Sequence, residues 1–282
     1  MPELAEVETV VRGLRAGLTG RTITNVSIHW PGSVRALQPG VFAQQLTGQV
    51  VTDVNRRGKW IVVDLSGGQT LLIHLRMTGQ LLLESDDCPV DKYTRVVFSL
   101  DSGRPEGGEH LRFSDMRKFG RLILTDQPGE VLDELGPEPL GEDFTVERFA
   151  RMLAGRRGRI KSLLLNQRFL AGLGNIYVNE ALCQAHIHPL RSADSLSPAE
   201  IEDLHRAIRS VLNAAISEGG TTLSNGNFKQ TSGEAGEFAS RLVAYDREGE
   251  PCECCGAPIE RIKVGQRSTY FCPRCQPPPA AD

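Results

Sequence analysis

Near residue 126 the spacing of apolar residues changes from that of strands to that of helices, and this change constrains the fold most. Before it, short segments rich in β-branched or other apolar residues run from Thr22 to Trp30, Val50 to Asn55, Trp60 to Leu65, Thr70 to Leu75, Gln80 to Glu84, Arg95 to Leu100, His110 to Phe113 and Arg121 to Thr125. Gly67-Gly68 separates two of them, a strong hairpin signal. Many short strands with turns between them predict a sandwich or flattened barrel. After it, helical spacing covers Val146 to Leu153, Ile160 to Asn166, Asn175 to Ala185 and Pro198 to Glu218. Ser197 before Pro198 and Glu200 marks a helix start, and Gly219-Gly220 marks a stop. Residues 126–141, rich in Pro, Gly and acids, read as a linker. The expectation is a multidomain α+β chain.

One helix precedes the strands. Over 3–18, Leu4, Val7, Val10, Val11, Leu14 and Leu18 recur at helical spacing. Pro2 suits a helix start, and Glu3, Glu6 and Glu8 suit the positive end of its dipole. At the other end, residues 221–240 are rich in Gly, Ser, Thr and Asn and read as a mobile loop. The tail 277–282 reads as disordered.

The chain has seven cysteines. Cys252 and Cys255 form one C-x2-C pair and Cys272 and Cys275 another, with 16 residues between the pairs. Two tight turns bearing four thiolates make a tetrahedral zinc site. Four sulfurs leave no position for water, so one structural zinc ion is expected. Cys254, between two ligands, is disfavoured by the spacing. Ala257 to Val264 and Ser268 to Phe271 alternate like a β-hairpin with Gly265-Gln266-Arg267 at its tip. His186 and His188 near Cys183 do not make a second site; a buried cysteine beside turn histidines is commoner.

The net charge of −3 does not suggest a nucleic-acid binder. The charges are segregated, however. From Arg148 to Asn179 there is no Asp or Glu, while Arg148, Arg151, Arg156, Arg157, Arg159, Lys161 and Arg168 all fall there. Arg261, Lys263, Arg267 and Arg274 form a second basic stretch. Such concentration suits a phosphate backbone, and solvated helix faces explain it equally well. No stretch reads as a transmembrane helix or secretory signal, so a cytoplasmic location, associated with the nucleoid, is expected.

The N-terminus offers chemistry. An α-amino group titrates near ~8, well below lysine. Once Met1 is removed, Pro2 presents a secondary amine that can attack an acetal-like sugar carbon and form an iminium. Glu3 is adjacent and Glu6 lies one turn on. Taken alone, helix-start preferences are the plainer explanation of these residues.

In order, Pro2-Glu3-Leu4-Ala5-Glu6-Val7-Glu8-Thr9-Val10, Arg56-Arg57-Gly58-Lys59, His74-Leu75-Arg76-Met77-Thr78-Gly79, Asp115-Met116-Arg117-Lys118-Phe119-Gly120, Leu135-Gly136-Pro137-Glu138-Pro139-Leu140, Gly172-Leu173-Gly174-Asn175-Ile176-Tyr177, Gly219-Gly220-Thr221-Thr222-Leu223 and Gln266-Arg267 span nearly the whole chain. Together they resemble the formamidopyrimidine-DNA glycosylase family. The resemblance implies an N-terminal β-sandwich flanked by helices (1–125), a linker (126–141), a helix–two-turn–helix domain with a lesion-capping loop (142–240) and a zinc-finger β-hairpin (241–276). It implies a bifunctional DNA glycosylase/AP lyase of base excision repair that removes oxidised purines from double-stranded DNA. A monomer with DNA in the cleft between its halves is expected.

The resemblance also assigns roles. Pro2 becomes the Schiff-base nucleophile, Glu3 the general acid/base and Glu6 its support. Lys59 and Arg267 match the residues that grip phosphate and assist elimination. Met77, Arg117 and Phe119 match the trio that fills the hole left by a flipped base. Asn175, Tyr93, Arg156 and Lys161 match DNA contacts. The sequence departs from the family's commonest pattern at Ala5, Arg76, Tyr93, Met116, Lys118 and the loop Ser224-Asn225-Gly226-Asn227-Phe228. The trio argues against a relative specialised for oxidised pyrimidines, and Glu3 and Lys59 would be idle in a non-catalytic zinc protein.

Overall fold

The computed structural model describes residues 1–101, 109–224 and 226–279. Asn225, in the expected capping loop, and the tail residues 280–282 lie outside the described residues. The chain divides into two compact units, Met1–Asp133 with Ile216–Ala239, and Glu134–Ala215 with Ser240–Asp282.

The first unit opens with helix α1 (Leu4–Leu18). Its apolar stripe Leu4, Val7, Val10, Val11, Leu14 and Leu18 is buried. Glu3 caps the helix rather than joining it, and its backbone N–H donates to Glu6 Oε2 at 2.7 Å. Nine strands follow: β1 (Ile23–Ile28), β2 (Val34–Arg35), β3 (Val51–Arg57), β4 (Trp60–Leu65), β5 (Thr70–His74), β6 (Gly79–Glu84), β7 (Thr94–Leu100), β8 (His110–Asp115) and β9 (Arg121–Thr125). They form two sheets, β1-β7-β8-β6 and β2-β9-β5-β4-β3. All pairings are antiparallel except β2 with β9. Alternate residues of both sheets, such as Val63, Ile73 and Leu122 in one and Val96, Phe98 and Phe113 in the other, share one core with α1. That is the expected sandwich.

Sequence periodicity misses two elements here. Helix α2 (Pro39–Leu46) has Pro at its first turn and buries Phe42 and Leu46. Two apolar anchors are too few to show as a period. Strand β2 has two residues and is defined by its neighbour. The expected linker contains a short helix, α3 (Gly129–Leu132). Its later part packs with the second unit, where Gly136 N–H donates to Gln167 O and Ala171 N–H to Pro137 O.

The second unit holds α4 (Val146–Leu153), α5 (Ile160–Leu164), α6 (Asn175–Gln184) and most of α7 (Pro198–Ser217). Thr145 Oγ1 accepts Arg148 N–H to start α4. Phe144 and Phe149 pack at 5.1 Å in the core. The unit ends in a hairpin of β10 (Glu260–Val264) and β11 (Arg267–Phe271). Gly265 and Gln266 both have positive φ, 53° and 61°, as a two-residue type I′ turn requires. Arg267 therefore opens β11 opposite Val264 instead of sitting in the tip, and it remains exposed.

Residues 221–240 differ most from expectation. Composition suggested a mobile loop and the resemblance grouped it with the helices, yet 216–239 cluster with the sandwich unit. Phe228 is buried in the sandwich core. Leu83 N–H donates to Thr231 O at 3.1 Å, Gln80 Nε2 to Asn227 O at 3.1 Å, and Gly236 N–H to Thr222 Oγ1 at 2.7 Å. A β-carbon on Gly236 would lie 2.3 Å from Gly220 O and 2.5 Å from Gly219 O. Backbone cannot yield as a side chain can. Gly236→Ala is expected to destabilise the protein by about 1–3 kcal/mol, read as a lower urea midpoint.

Candidate active site and metal centre

Pro2, Glu3 and Glu6 are all buried at the start of α1. Glu6 is 1% exposed, and both its oxygens are engaged: Oε2 by Glu3 N–H and Oε1 by Thr221 N–H at 2.8 Å. Burying a carboxylate is costly unless donors meet it, and here they come from two distant stretches of chain. Thr221 can reach Glu6 because Gly219 and Gly220 take φ of 67° and 87°. A β-carbon at Gly220 would sit 2.9 Å from the Phe228 ring and 3.2 Å from Glu6 Cγ. The start of α1 and the root of the expected capping loop are thus one assembly.

Lys59 sits in the two-residue turn between β3 and β4, where Arg57 pairs with Trp60. Gly58 has φ of 56°, the sign that the first position of a type II′ turn requires. The hairpin is tied to α1 by Arg56 Nε on Glu8 Oε2 at 3.0 Å. Burial pushes the Glu8 carboxyl up, but hydrogen bonds and charge from Arg56 and Arg12 outweigh this and leave it below the usual range.

Sequence reading missed His74. Its imidazole packs edge-on against Trp60 at 4.8 Å, and Nδ1 accepts Arg76 N–H at 3.0 Å. Burial, then the positive fields of Arg76, Lys59 and Arg121, hold its pKa down to about 3. It is therefore a neutral ring with Nε2–H as its donor, close to Lys59. Only the pairing of Trp60 with His74 reveals this, since the two are far apart in sequence.

Met77, Arg117 and Phe119 lie on two adjoining turns and are all exposed. Met77 is 38% and Phe119 49% exposed, so neither is core packing. The Arg117 guanidinium lies 4.8 Å from the Phe119 ring centroid. Tyr93 is half-buried beneath Lys92 and Arg95.

In the second unit Arg156 is exposed, with its guanidinium 5.6 Å from the Phe169 ring. Asn175 is the first residue of α6, and its Nδ2 donates to Ser268 O at 3.0 Å. Lys161 requires a correction. Sequence reading makes it a DNA contact, but it is 0% exposed. Its ammonium donates to Thr269 Oγ1 at 2.8 Å, Asn179 Oδ1 at 3.0 Å and Ser268 O at 3.2 Å. It fastens β11 to α6 and has no surface to offer a phosphate.

Cys252, Cys255, Cys272 and Cys275 bring their sulfurs within 4.8 Å of one another. Cys252 and Cys275 are 3.9 Å apart, Cys255 and Cys272 3.4 Å. A tetrahedron of thiolates 2.3 Å from zinc has edges of about 3.8 Å, so the donor set fits one structural zinc ion. Cys254 is exposed outside the cluster. Cys183 lies in the small core behind it, and burial first, with the Glu180 charge, pushes its thiol up to about 12. Glu180 accepts N–H bonds from Val243, Ala244 and Tyr245 at 2.7–3.0 Å, anchoring the finger's base to α6.

Fold and sites define a two-unit zinc-finger protein with a buried proline–glutamate start. Residues 1–122 match the formamidopyrimidine-DNA glycosylase N-terminal domain, 135–226 the H2TH domain of the same glycosylase, and 249–278 the zinc finger found in FPG and IleRS. A formamidopyrimidine-DNA glycosylase of Herpetosiphon aurantiacus is 49% identical over 98% of this chain and 100% of its own length. One from Symbiobacterium thermophilum is 47% identical over 99% and 90%. The crystal structure of MutM (FPG) from Thermus thermophilus superposes with TM-score 0.87 at 41% identity, covering 98% of each chain. A Lactococcus lactis FPG mutant, G226P, in complex with Fapy-dG containing DNA gives 0.89 at 36%, covering 98% and 100%. The chain belongs to the formamidopyrimidine-DNA glycosylase family.

The protein should carry one zinc per chain by elemental analysis. Cys272→Ser should lose the metal and become sensitive to proteolysis within 249–276. For His74 the folded pKa lies below the ordinary 6.5, so between those values the unfolded chain binds the extra proton. Stability should therefore fall as pH drops from 6.5 toward 3. In His74→Gln the difference between urea midpoints at pH 7 and pH 4 should shrink.

Proposed function

We propose that this protein is a bifunctional DNA glycosylase/AP lyase that excises oxidised purines, formamidopyrimidines and 8-oxoguanine, from double-stranded DNA and cuts abasic sites. The observation that carries this reading is the buried Pro2-Glu3-Glu6 start of α1, joined to Thr221 of the glycine-bounded loop, in a member of this family.

Loss of Met1 frees the Pro2 amine. Its lone pair bonds to C1′ of the damaged nucleotide as the bond from C1′ to the base breaks and the base leaves protonated. The amine then loses its proton to Glu3, the sugar ring opens as the C1′–O4′ bond breaks and O4′ takes that proton, and the resulting iminium makes the C2′ hydrogen acidic. Its removal expels the 3′ phosphate, and a second elimination releases the 5′ phosphate. Glu3 is adjacent to the nucleophile and acts as the general acid/base. Glu6 orients Glu3 through the Glu3 N–H. Lys59, on its hairpin tip, binds the phosphate next to the lesion, and Arg267, at the start of β11, grips backbone and assists the second elimination. The neutral His74 donates from Nε2 beside Lys59.

A stacked base is out of reach, so it must be extruded and its place filled. Met77 and Phe119 are exposed apolar side chains suited to wedging between bases. Arg117 reads the orphaned partner with its guanidinium donors. Residues 221–240 cover the extruded base. Tyr93, Arg156 and Asn175 contribute backbone contacts, the last at a helix N-terminus. The zinc ion, held by four thiolates, has no open position and only shapes the hairpin.

We place the enzyme in the cytoplasm at the nucleoid, acting as a monomer. In support, no helix among the described residues is long and apolar enough to cross a membrane, and thiolate ligands persist in a reducing compartment.

The test is borohydride trapping on an 8-oxoguanine:cytosine duplex, with mass spectrometry of the linked peptide. The expected cross-link is on Pro2; a link to an interior lysine, or none, overturns the mechanism. Glu3→Gln should slow base release by roughly 10²–10⁴-fold.

A further inference from the structure

The base-excision reading needs Met77, Arg117 and Phe119 to enter the duplex as one wedge, yet they stand on two separate turns. Each turn contains a strained residue: Arg76 has φ of 55° and Lys118 φ of 62°. Non-glycine residues hold such angles only where their surroundings over-determine them. One buried side chain bonds to both turns.

Asp115 ends β8 and is 1% exposed. Its Oδ1 accepts the Thr78 hydroxyl, and also the Arg117 N–H at 3.2 Å. Its Oδ2 accepts Gly120 N–H at 2.7 Å. Arg117 N–H also points at Thr78 Oγ1, 3.1 Å away. One buried carboxylate therefore ties the turn after Met77 to both ends of the Arg117–Phe119 turn. Its backbone extends the connection, since Asp115 N–H donates to Tyr93 O at 2.9 Å and Asp115 O accepts Arg95 Nε at 2.8 Å. Gly120 has no room for a side chain, as a β-carbon there would lie 2.3 Å from the Phe113 ring and 3.2 Å from Asp115 Oδ2. The carboxylate does not reach the surface, so it acts only through the side chains it places.

We propose that Asp115 is the positioning residue of the wedge, a buried double acceptor that locks the Met77 and Arg117–Phe119 turns into one rigid tip. This rests on the base-excision reading. It makes the lock specific to the step in which the duplex is opened and held open. A carboxamide cannot replace it. Asparagine offers one acceptor oxygen, and its NH₂ then faces either Gly120 N–H or the Thr78 and Arg117 donors. One orientation leaves Gly120 N–H unpaired; the other leaves Arg117 N–H to Thr78 Oγ1 alone and turns the Thr78 hydroxyl from donor to acceptor, so the side chain no longer holds both turns as a double acceptor.

The experiment compares two substrates. An 8-oxoguanine:cytosine duplex needs the wedge. A single-stranded abasic oligonucleotide has no partner base and no gap to fill, but uses the same amine chemistry. In Asp115→Asn the ratio of duplex base excision to single-strand cleavage should drop about tenfold, the effect of losing one buried hydrogen bond to a charged acceptor. Thr78→Val should shift the ratio in the same direction, and it decides the matter if Asp115→Asn does not fold. An equal fall on both substrates, or no fall, overturns the proposal. Failure of the wild-type protein to release 8-oxoguanine would instead overturn the base-excision reading.

Discussion

The buried carboxylate of Glu6 is the interaction on which the rest of the sandwich unit depends. It accepts one N–H from its own helix start and one from Thr221, 215 residues away in sequence. An unmet carboxylate in that position would cost several kcal/mol. The helix start and the loop root are therefore stable only together. The glycines at 219 and 220 follow from this, because the backbone must turn with positive φ and pass within contact of Glu6.

The same device recurs. Asp115 gathers two turns, Glu180 gathers three successive N–H groups at the base of the finger, and Lys161 gathers two side chains and a carbonyl. The carboxylates organise irregular backbone, while Lys161 joins a strand to a helix. Turns and loops have little apolar area to bury, so hydrophobic contact cannot fix their shape. Directional bonds to a charge can. Residues proposed to meet DNA, such as Arg117, Arg267 and Asn175, lie on or beside these fastened segments. The exposed ends of Arg117 and Arg267 are free to act because their backbones are not.

Much of this was legible in advance. The alternation of β4 and β9 and the stripe of α1 appear in the sequence because each element buries one face against a single core. The zinc ligands were legible because the two turns that carry them are local. The errors share a cause. Lys161 lies in a basic stretch and looks like a surface cation, but Asn179 and Thr269 close over it from elsewhere in the chain. Phe228 sits in a polar, glycine-rich segment, and nothing near it announces that it reaches the sandwich core. His74 gains its neutral state first from burial and then from Arg76, Lys59 and Arg121, and only the paired strands supply the burial and bring the last of these near.

By itself, the sequence determined most of the succession of strands and helices and the metal ligands, because short-range periodicity and spacing encode them, whereas the proline–glutamate start drew its reading from the family resemblance. Tertiary structure alone decided which charges are buried, which segment belongs to which unit, and which apolar side chains stay exposed. Those outcomes depend on partners distant in the chain, and burial is a property of the assembled surface rather than of any one segment.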